Sequence, residues 1–285
     1  VYDGVMYATD TNAVYALDAR TGKTIWNWSA DDAPRIRQNR GVAMWGDRVF
    51  VATADCRLVA LNRFNGAVVW DKSFADHAGQ GYTTSIAPLA VKGRILVGVA
   101  GGGHGQRGFV AAISADTGDE DWRFWTVPGK GEPGSETWGG FPAEWAGAPT
   151  WTTGSFDPGL NLVYWPTGNP WPDFYGGRRQ GDNLYSDSVV ALDADTGKMK
   201  WYFQFTTFDE WDWDANETPV LIDKEFKGRM RKLLVQANRN GFYYALDRET
   251  GEFLHGQPFV KELNWATGLD EKTGRPMEIP GMRPT

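Results

Sequence analysis

The chain of 285 residues contains one cysteine, three histidines and no long apolar run. A single cysteine, Cys56, cannot form an internal disulfide, which excludes a disulfide-stapled scaffold. No Cys-x-x-Cys-His motif for covalent haem attachment occurs in this sequence. The longest candidate membrane segment, residues 95–100, falls far short of the roughly 18 residues that a spanning helix needs. We therefore expect no membrane span.

An excess of positive charge is also missing. The sequence has 29 Lys and Arg against 36 Asp and Glu, a formal net charge of −7, and its basic residues are scattered. Proteins that bind nucleic acid usually concentrate positive charge on one surface, so we expect no nucleic-acid partner. The chain begins at Val1 rather than Met and shows no export signal, which predicts a processed or partial chain.

Tryptophan and glycine are abundant, with 15 and 35 residues. Four of the tryptophans and five of the glycines fall in a repeat of the general form Ala-x-Asp-x-x-Thr-Gly-x-x-x-Trp, whose fifth copy ends on His255 in place of tryptophan. The repeat glycines recur after 44, 52, 79 and 54 residues and are Gly22, Gly66, Gly118, Gly197 and Gly251. This spacing is typical of the blades of a propeller, with one long insertion.

Each repeat predicts β structure. Apolar runs such as residues 49–52 and 95–97 precede the motif and are typical of strands. The Asp and the Thr-Gly pair favour a tight turn, because glycine accepts a positive φ and Asp can bond nearby backbone amides. The small Ala allows sheets to approach, and the Trp can lie flat between them. We therefore predict an all-β fold of the β-propeller class rather than unrelated hairpins.

The repeat resembles the tryptophan-docking motif of quinoprotein dehydrogenases, the methanol and ethanol dehydrogenase type that binds pyrroloquinoline quinone (PQQ). The resemblance covers essentially all 285 residues and implies a propeller of eight blades in the full subunit, about five of them represented here. It implies one propeller domain over residues 1–285, the N-terminal part of a longer chain, with a cofactor-site insertion at about residues 123–180. It also implies PQQ, Ca²⁺ or a lanthanide ion, a small alcohol substrate, a cytochrome c or quinone acceptor and a periplasmic location, and it is compatible with a homodimer.

The resemblance also implies which residues bind the cofactor. Trp151 matches the aromatic floor under the planar quinone, and it lies outside the repeat register, which favours that role over ordinary packing between blades. Arg40 matches a residue that contacts the quinone carboxylates. The complete predicted set is Arg40, Ser85, Gly101, Gly102, Trp151 and Arg239. Arg239 matches a cation near the quinone oxygens, and the Asn240-Gly241 pair beside it is also typical of a hairpin turn.

Residues 208–214 place four acidic side chains within six positions, beside two tryptophans. On a strand, Asp212 and Asp214 would point to the same face, where two carboxylates repel each other unless a proton or a cation lies between them. The resemblance implies that Asn169, Asp212 and Asp214 bind the metal ion, that Asp212 is the catalytic base, and that Asp214 is the extra carboxylate of lanthanide-using members. The alternative is a solvated acidic loop.

The glycine-rich stretch from Gly103 to Gly108 matches Gly-x-Gly-x-x-Gly. It leads into a propeller repeat rather than a helix of a βαβ unit, so we do not interpret it as a dinucleotide site. When the Arg-Gly pair at 107–108 is aligned with the family, Gly103 stands where the family has a metal-binding Glu. Compensation by His104 or by Asp214 and a weakened metal site are the open alternatives.

The resemblance implies an oxidoreductase that oxidises a primary alcohol or a related hydroxyl compound. A second hypothesis is a non-catalytic propeller of the same repeat class that acts as a periplasmic assembly scaffold. Pro34 and Arg35 stand where the family commonly has a vicinal cysteine pair, which slightly favours the scaffold. The joint presence of Trp151, Asn169 and Asp212 favours the enzyme, because a scaffold has no physical need for them.

Overall fold

The computed structural model describes residues 1–34 and 38–284. This part of the chain is nearly all β, which confirms the predicted fold class. Its exceptions are one short helix, α1 (His77–Gln80), and three 3₁₀ turns at Gly102–His104, Ser135–Trp138 and Ala143–Trp145. Within the described residues, no helix is long and apolar enough to cross a membrane.

The first of two compact units comprises residues 1–101, 110–123 and 151–153. Its first sheet has three antiparallel strands, β1 (Val5–Asp10), β2 (Ala13–Asp18) and β3 (Thr24–Ser29). The second has four, β4 (Ala43–Trp45), β5 (Arg48–Ala52), β6 (Arg57–Asn62) and β7 (Val68–Ser73). A third sheet lies almost wholly in this unit and consists of β8 (Leu89–Val91), β9 (Arg94–Gly98), β10 (Phe109–Ser114) and β11 (Glu120–Trp125).

The second unit comprises residues 102–109, 124–150 and the described chain from 154 onward. One of its sheets consists of β12 (Ser155–Asp157), β13 (Leu162–Pro166), β14 (Ser188–Asp193) and β15 (Met199–Gln204). Another consists of β16 (Val220–Phe226), β17 (Arg229–Ala237), β18 (Phe242–Asp247) and β19 (Phe253–Pro258), and a hairpin follows with β20 (Ala266–Leu269) and β21 (Pro276–Glu278). Long connections at 126–154 and 167–187 flank β12 and β13. A single propeller domain over 1–285 stays a prediction.

The repeat motif forms the turn between the last two strands of a sheet, as predicted. In the first copy, the amide of Gly22 donates to the carbonyl of Asp18 at 2.8 Å, and Gly22 has a φ of +70°. The carboxylate of Asp18 accepts hydrogen bonds from the amide of Thr21 at 2.7 Å and from its hydroxyl at 2.8 Å. The Asp and the Thr-Gly pair therefore close the turn together.

The repeat tryptophan packs on the glycine of the following repeat, whereas the sequence predicted only that its ring lies flat between sheets. A Cβ placed on Gly66 would stand 2.7 Å from the ring of Trp26, and one on Gly118 would stand 2.9 Å from the ring of Trp70. The indole Nε1 of Trp26 donates to the carbonyl of Arg63 at 2.9 Å, three residues before that glycine. These glycines are required because any side chain would occupy the volume of the ring.

We predict that Gly66→Ala destabilises the protein by about 1–3 kcal/mol more than Gly46→Ala does, because only the first forces a ring to move. Gly46 is the matched control, since it lies in a turn of the same sheet, also has a positive φ, at +56°, and has nothing within 4 Å of its Cβ position. Both variants carry the backbone cost of alanine at positive φ, about 1 kcal/mol. Urea unfolding of the two variants checks the difference, and equal losses would show that ring docking adds nothing.

Candidate cofactor and metal site

Three of the predicted cofactor residues are in contact within the first unit. The guanidinium carbon of Arg40 lies 4.6 Å from the centroid of the Trp151 ring. The Nη1 group of Arg40 donates to the carbonyl of Ser85 at 3.2 Å and also to the Ser85 hydroxyl. The structure therefore brings Arg40, Ser85 and Trp151 together from distant parts of the sequence.

Backbone contacts hold this group in place. The amide of Arg40 donates to the carbonyl of Ser85 at 3.2 Å, and the hydroxyl of Thr153 donates to the carbonyl of Ala87 at 2.6 Å. Gly101, also predicted to bind the cofactor, takes a φ of +95° in this unit. A guanidinium over an indole face, with a hydroxyl beside it, offers a planar surface and charged donors. This donor set fits a flat ligand that carries carboxylates.

In the second unit, a chain of contacts joins three of the other predicted residues. The amide of Asn169 donates to Oδ1 of Asp214 at 3.1 Å, and Nη1 of Arg239 donates to Oδ2 of Asp214 at 3.2 Å. Asn169 and Asp214 are 3% and 8% exposed. A Cβ on Gly168 would stand 2.1 Å from Oδ1 of Asp214, so glycine at this position permits the carboxylate to reach the backbone.

The prediction that Asp212 and Asp214 lie on a strand is wrong. Residues 205–216 form no strand, and Asp212 and Asp214 have φ values of +60° and +47°. The cause is the buried Asp209, whose carboxylate accepts hydrogen bonds from the amides of Trp211 and Trp213, each at 2.8 Å. These bonds divert the backbone amides from ladder pairing and fold the segment into turns.

The two tryptophans of this segment form an apolar wall beside the acidic residues. The rings of Trp211 and Trp213 are stacked at 4.4 Å with an interplanar angle of 8°, and Trp265 packs against both. Burial, followed by the charges of Asp214 and Asp173, raises the pKa of Asp212 to about 6, although the nearby Arg239 lowers it. The acids are therefore coupled as predicted, but by loop turns rather than by strand alternation.

Sequence reasoning missed Asp173. Its Oδ1 accepts a hydrogen bond from Nδ2 of Asn169 at 2.8 Å. Burial raises its pKa, and the charge of Asp214 raises it further. The available signal was an acid four residues after Asn169 in a segment otherwise rich in Trp, Gly and Pro.

Two further acids near this region, Asp187 and Glu217, were also missed, and nothing in the sequence marks them. Asp187 is 1% exposed, and within the described chain neither of its carboxylate oxygens has a hydrogen-bond partner. Burial, with the charges of Asp209 and Asp214, raises the pKa of Asp187 well above the usual range and thereby favours its neutral form. Burial raises the pKa of Glu217 to about 7, although a hydrogen bond from Gln236 lowers it.

Gly102 lies against the amide of Asn169, because a Cβ there would stand 3.1 Å from Oδ1 of Asn169 and 2.5 Å from Pro149. Among residues 1–34 and 38–284, no three His, Cys, Asp or Glu side chains group closely enough to hold a metal ion by themselves. A cation here therefore needs amide oxygens besides carboxylates. Asn169 supplies one, and the buried Asn216, which donates to Asp214 at 3.2 Å, has an Oδ1 without a hydrogen-bond partner in the described chain. Hard oxygen donors of this kind fit Ca²⁺ or a lanthanide.

The three remaining sequence candidates are Pro34, Arg35 and His104. The charge of His104 acts on Asp173 and lowers the pKa of that carboxyl. Arg35, at one of the two positions where the family commonly has cysteine, falls outside the described residues, and Pro34 is exposed. His104 is exposed at the end of a 3₁₀ turn in the second unit.

Comparisons with known proteins agree with the sequence resemblance. The quinoprotein alcohol dehydrogenase PedH of Pseudomonas putida is 42% identical over an alignment that covers 100% of this chain and 51% of PedH. The crystal structure of the quinohemoprotein alcohol dehydrogenase from Comamonas testosteroni superposes with a TM-score of 0.92 at 37% identity, covering 99% of this chain and 45% of that one. A europium-containing methanol dehydrogenase gives a TM-score of 0.92 at 34% identity, covering 99% of this chain and 54% of that one.

The chain thus spans about half the length of the curated relatives it matches. The sequence model of the family described as "Glucose/ethanol/alcohol dehydrogenase, beta-propeller domain" matches residues 1–257. Together with the sheets and the tryptophan docking described above, this match confirms the predicted β-propeller class, whereas the number of blades stays a prediction. The chain therefore belongs to the PQQ-dependent dehydrogenase family, of which it contains the β-propeller domain sequence.

Proposed function

We propose that this chain forms the cofactor-binding part of an oxidoreductase that oxidises a primary alcohol or a related hydroxyl compound with PQQ and a metal ion. The observation that carries the proposal is the buried carboxylate of Asp214, held between Asn169 and Arg239. A carboxylate is expensive to bury, and a scaffold propeller gains nothing from one placed beside an amide and a half-exposed arginine. Relatives similar along the whole chain are named alcohol dehydrogenases, which also favours the enzyme over the scaffold.

The cofactor residues in this proposal are those of the sequence prediction. Arg40 and Ser85 would bind carboxylates of PQQ, and Trp151 would support the plane of its rings. Gly101 and Gly102 would allow the backbone to approach the ligand. Arg239 would provide positive charge for an oxygen that becomes negative during reduction.

Asn169, Asp212 and Asp214 would hold the metal ion, either Ca²⁺ or a lanthanide. An oxygen-only donor set with several carboxylates suits both ions, because each is a hard cation. The likeness to a europium-containing methanol dehydrogenase supports a site of this type in the present chain.

PQQ, when bound, would supply the two-electron oxidising capacity for the alcohol, and a metal ion would make the quinone more electrophilic. In this scheme Asp212 accepts the proton of the substrate hydroxyl at a carboxylate oxygen, and an aldehyde leaves. Arg239 holds Asp214 by their 3.2 Å ion pair, so that carboxylate stays oriented during proton transfer.

For the electron acceptor we propose a cytochrome c or a quinone, and for the location the periplasm. Relatives whose names include "quinohemoprotein" and "dehydrogenase subunit" support an acceptor of this kind. The test of the function itself is reconstitution of the full-length protein with PQQ and either Ca²⁺ or La³⁺, followed by a dye-linked assay with primary alcohols. Quinone absorption and alcohol-dependent dye reduction are expected. Absence of both with either ion would contradict the proposal.

We predict that Asp212→Asn lowers the alcohol turnover number by at least about 100-fold, because an amide cannot take up the hydroxyl proton. The absorption of bound PQQ should stay close to that of the unmodified protein. Asp182→Asn is the control, since Asp182 is a partly buried acid of the same unit that pairs with Arg275 at 2.6 Å. Turnover unchanged in Asp212→Asn would remove this residue from the mechanism.

We predict that Arg40→Lys weakens PQQ binding about tenfold, since lysine keeps the charge but loses the planar donor pair over the Trp151 ring. Titration of the protein with PQQ, followed by absorbance, measures this change in Kd. Arg20→Lys, at an exposed arginine of the same unit, should bind PQQ like the unmodified protein. Equal affinity in Arg40→Lys and Arg20→Lys would show that Arg40 does not contact the quinone.

A further inference from the structure

Gly103 stands at the position where the family resemblance places a metal-binding acid. The backbone of Gly103 does not itself exclude a side chain, because its φ is not in the left-handed region. A Cβ on Gly103 would stand 2.9 Å from Oδ2 of Asp173, so a side chain at this position requires that carboxylate to move. The volume next to Gly103 is therefore taken by another carboxylate.

Asp173 is held at this place from two sides. Its Oδ1 accepts the 2.8 Å hydrogen bond from Nδ2 of Asn169, which leaves the other oxygen towards Gly103. The preceding carbonyl, of Pro172, accepts a hydrogen bond from Nη2 of the buried Arg179 at 3.1 Å, and the same nitrogen also donates to the carbonyl of Asp209. Arg179 thus ties the backbone next to Asp173 to the loop that carries Asp212.

Asn169 connects the two carboxylates. Its side-chain Nδ2 bonds Asp173, and its backbone amide bonds Asp214 at 3.1 Å. The opposite atom of the same side-chain amide, Oδ1, is directed to Gly102, where a Cβ would stand 3.1 Å away. An amide oxygen and the carboxylate of Asp173 therefore lie along the backbone of the glycine-rich turn, and oxygens of this kind suit a hard cation.

The other candidates for compensation fit less well. Both carboxylate oxygens of Asp214 already accept hydrogen bonds, one from the amide of Asn169 and one from Arg239, so Asp214 does not replace the acid missing at Gly103. His104 is exposed, and an imidazole is a poor ligand for Ca²⁺ or a lanthanide, which prefer oxygen. Asp173 offers an oxygen of the right charge at the right position.

We propose that Asp173 supplies the anionic metal ligand that Gly103 lacks, and that it acts together with Asn169, which bonds it, and Asp214. The proposal rests on the proposed function, because it concerns the metal ion of that site. It moves one ligand from the glycine-rich turn to the connection after β13 and keeps the number of negative charges around the ion.

The experiment measures Tb³⁺ binding to the full-length protein without PQQ, by luminescence excited through tryptophan, with Ca²⁺ as competitor. In Asp173→Asn the shape is kept and the charge is lost, so the Kd for Tb³⁺ should rise at least about tenfold. The double variant Gly103→Glu/Asp173→Gly returns the carboxylate to the other segment and should recover most of the affinity. The control Asp182→Asn should bind like the unmodified protein.

The outcomes separate this proposal from the proposed function. If the unmodified protein binds Tb³⁺ and Asp173→Asn binds it equally well, Asp173 is not a ligand, while the function is unaffected. Suppose that Asp173→Asn binds Tb³⁺ weakly and that the double variant binds it equally weakly, with a circular dichroism spectrum like that of the unmodified protein. The carboxylates at positions 103 and 173 are then not interchangeable, and the proposal fails. If the unmodified protein binds neither Tb³⁺ nor PQQ, the proposed function fails and this inference fails with it.

Discussion

The buried carboxylate of Asp209 determines the geometry of the candidate metal site. By accepting the amides of Trp211 and Trp213, it turns the chain twice within a few residues and leaves Asp212 and Asp214 in left-handed conformations. Such conformations are unfavourable for residues other than glycine, so the surrounding contacts must stabilise them. Arg179, 1% exposed, contributes by donating to the carbonyl of Asp209. The acids at the site are thus positioned by hydrogen bonds that are themselves sheltered from water.

Electrostatic repulsion limits how many acids can be charged here. Burial and acidic neighbours raise the pKa of Asp187 and favour its neutral form, and Arg239 compensates Asp214. Asp173 and Asp212 are less buried, and a cation would stabilise their charged forms most. The acids of this region therefore differ in how strongly their surroundings oppose a negative charge.

The sequence was sufficient for the repeat and its turns, because these depend on neighbours within a few residues. The Asp and Thr-Gly turn, and the Trp ring between sheets, follow from local geometry and from one recurring spacing. The contact of Arg40 with Ser85 and Trp151 was predicted only through family resemblance, since nothing local links these positions. The strand predicted through Asp212 failed because pattern reasoning does not detect a buried carboxylate that competes for backbone amides. Asp173 was missed for a related reason, since its proximity to Gly103 arises only when distant segments pack.

A side chain at position 103 would compete with the carboxylate of Asp173 for the same volume, and this competition has an evolutionary consequence. An acid at the first position would displace the carboxylate at the second from its present place, so the arrangement favours one acid at these two positions. Homologous chains should accordingly fall into two groups, those with an acid in the glycine-rich turn and a small residue after β13, and those with the reverse. The absence of the usual acid therefore does not by itself show that the metal site is lost, because the carboxylate can come from another segment of the same fold.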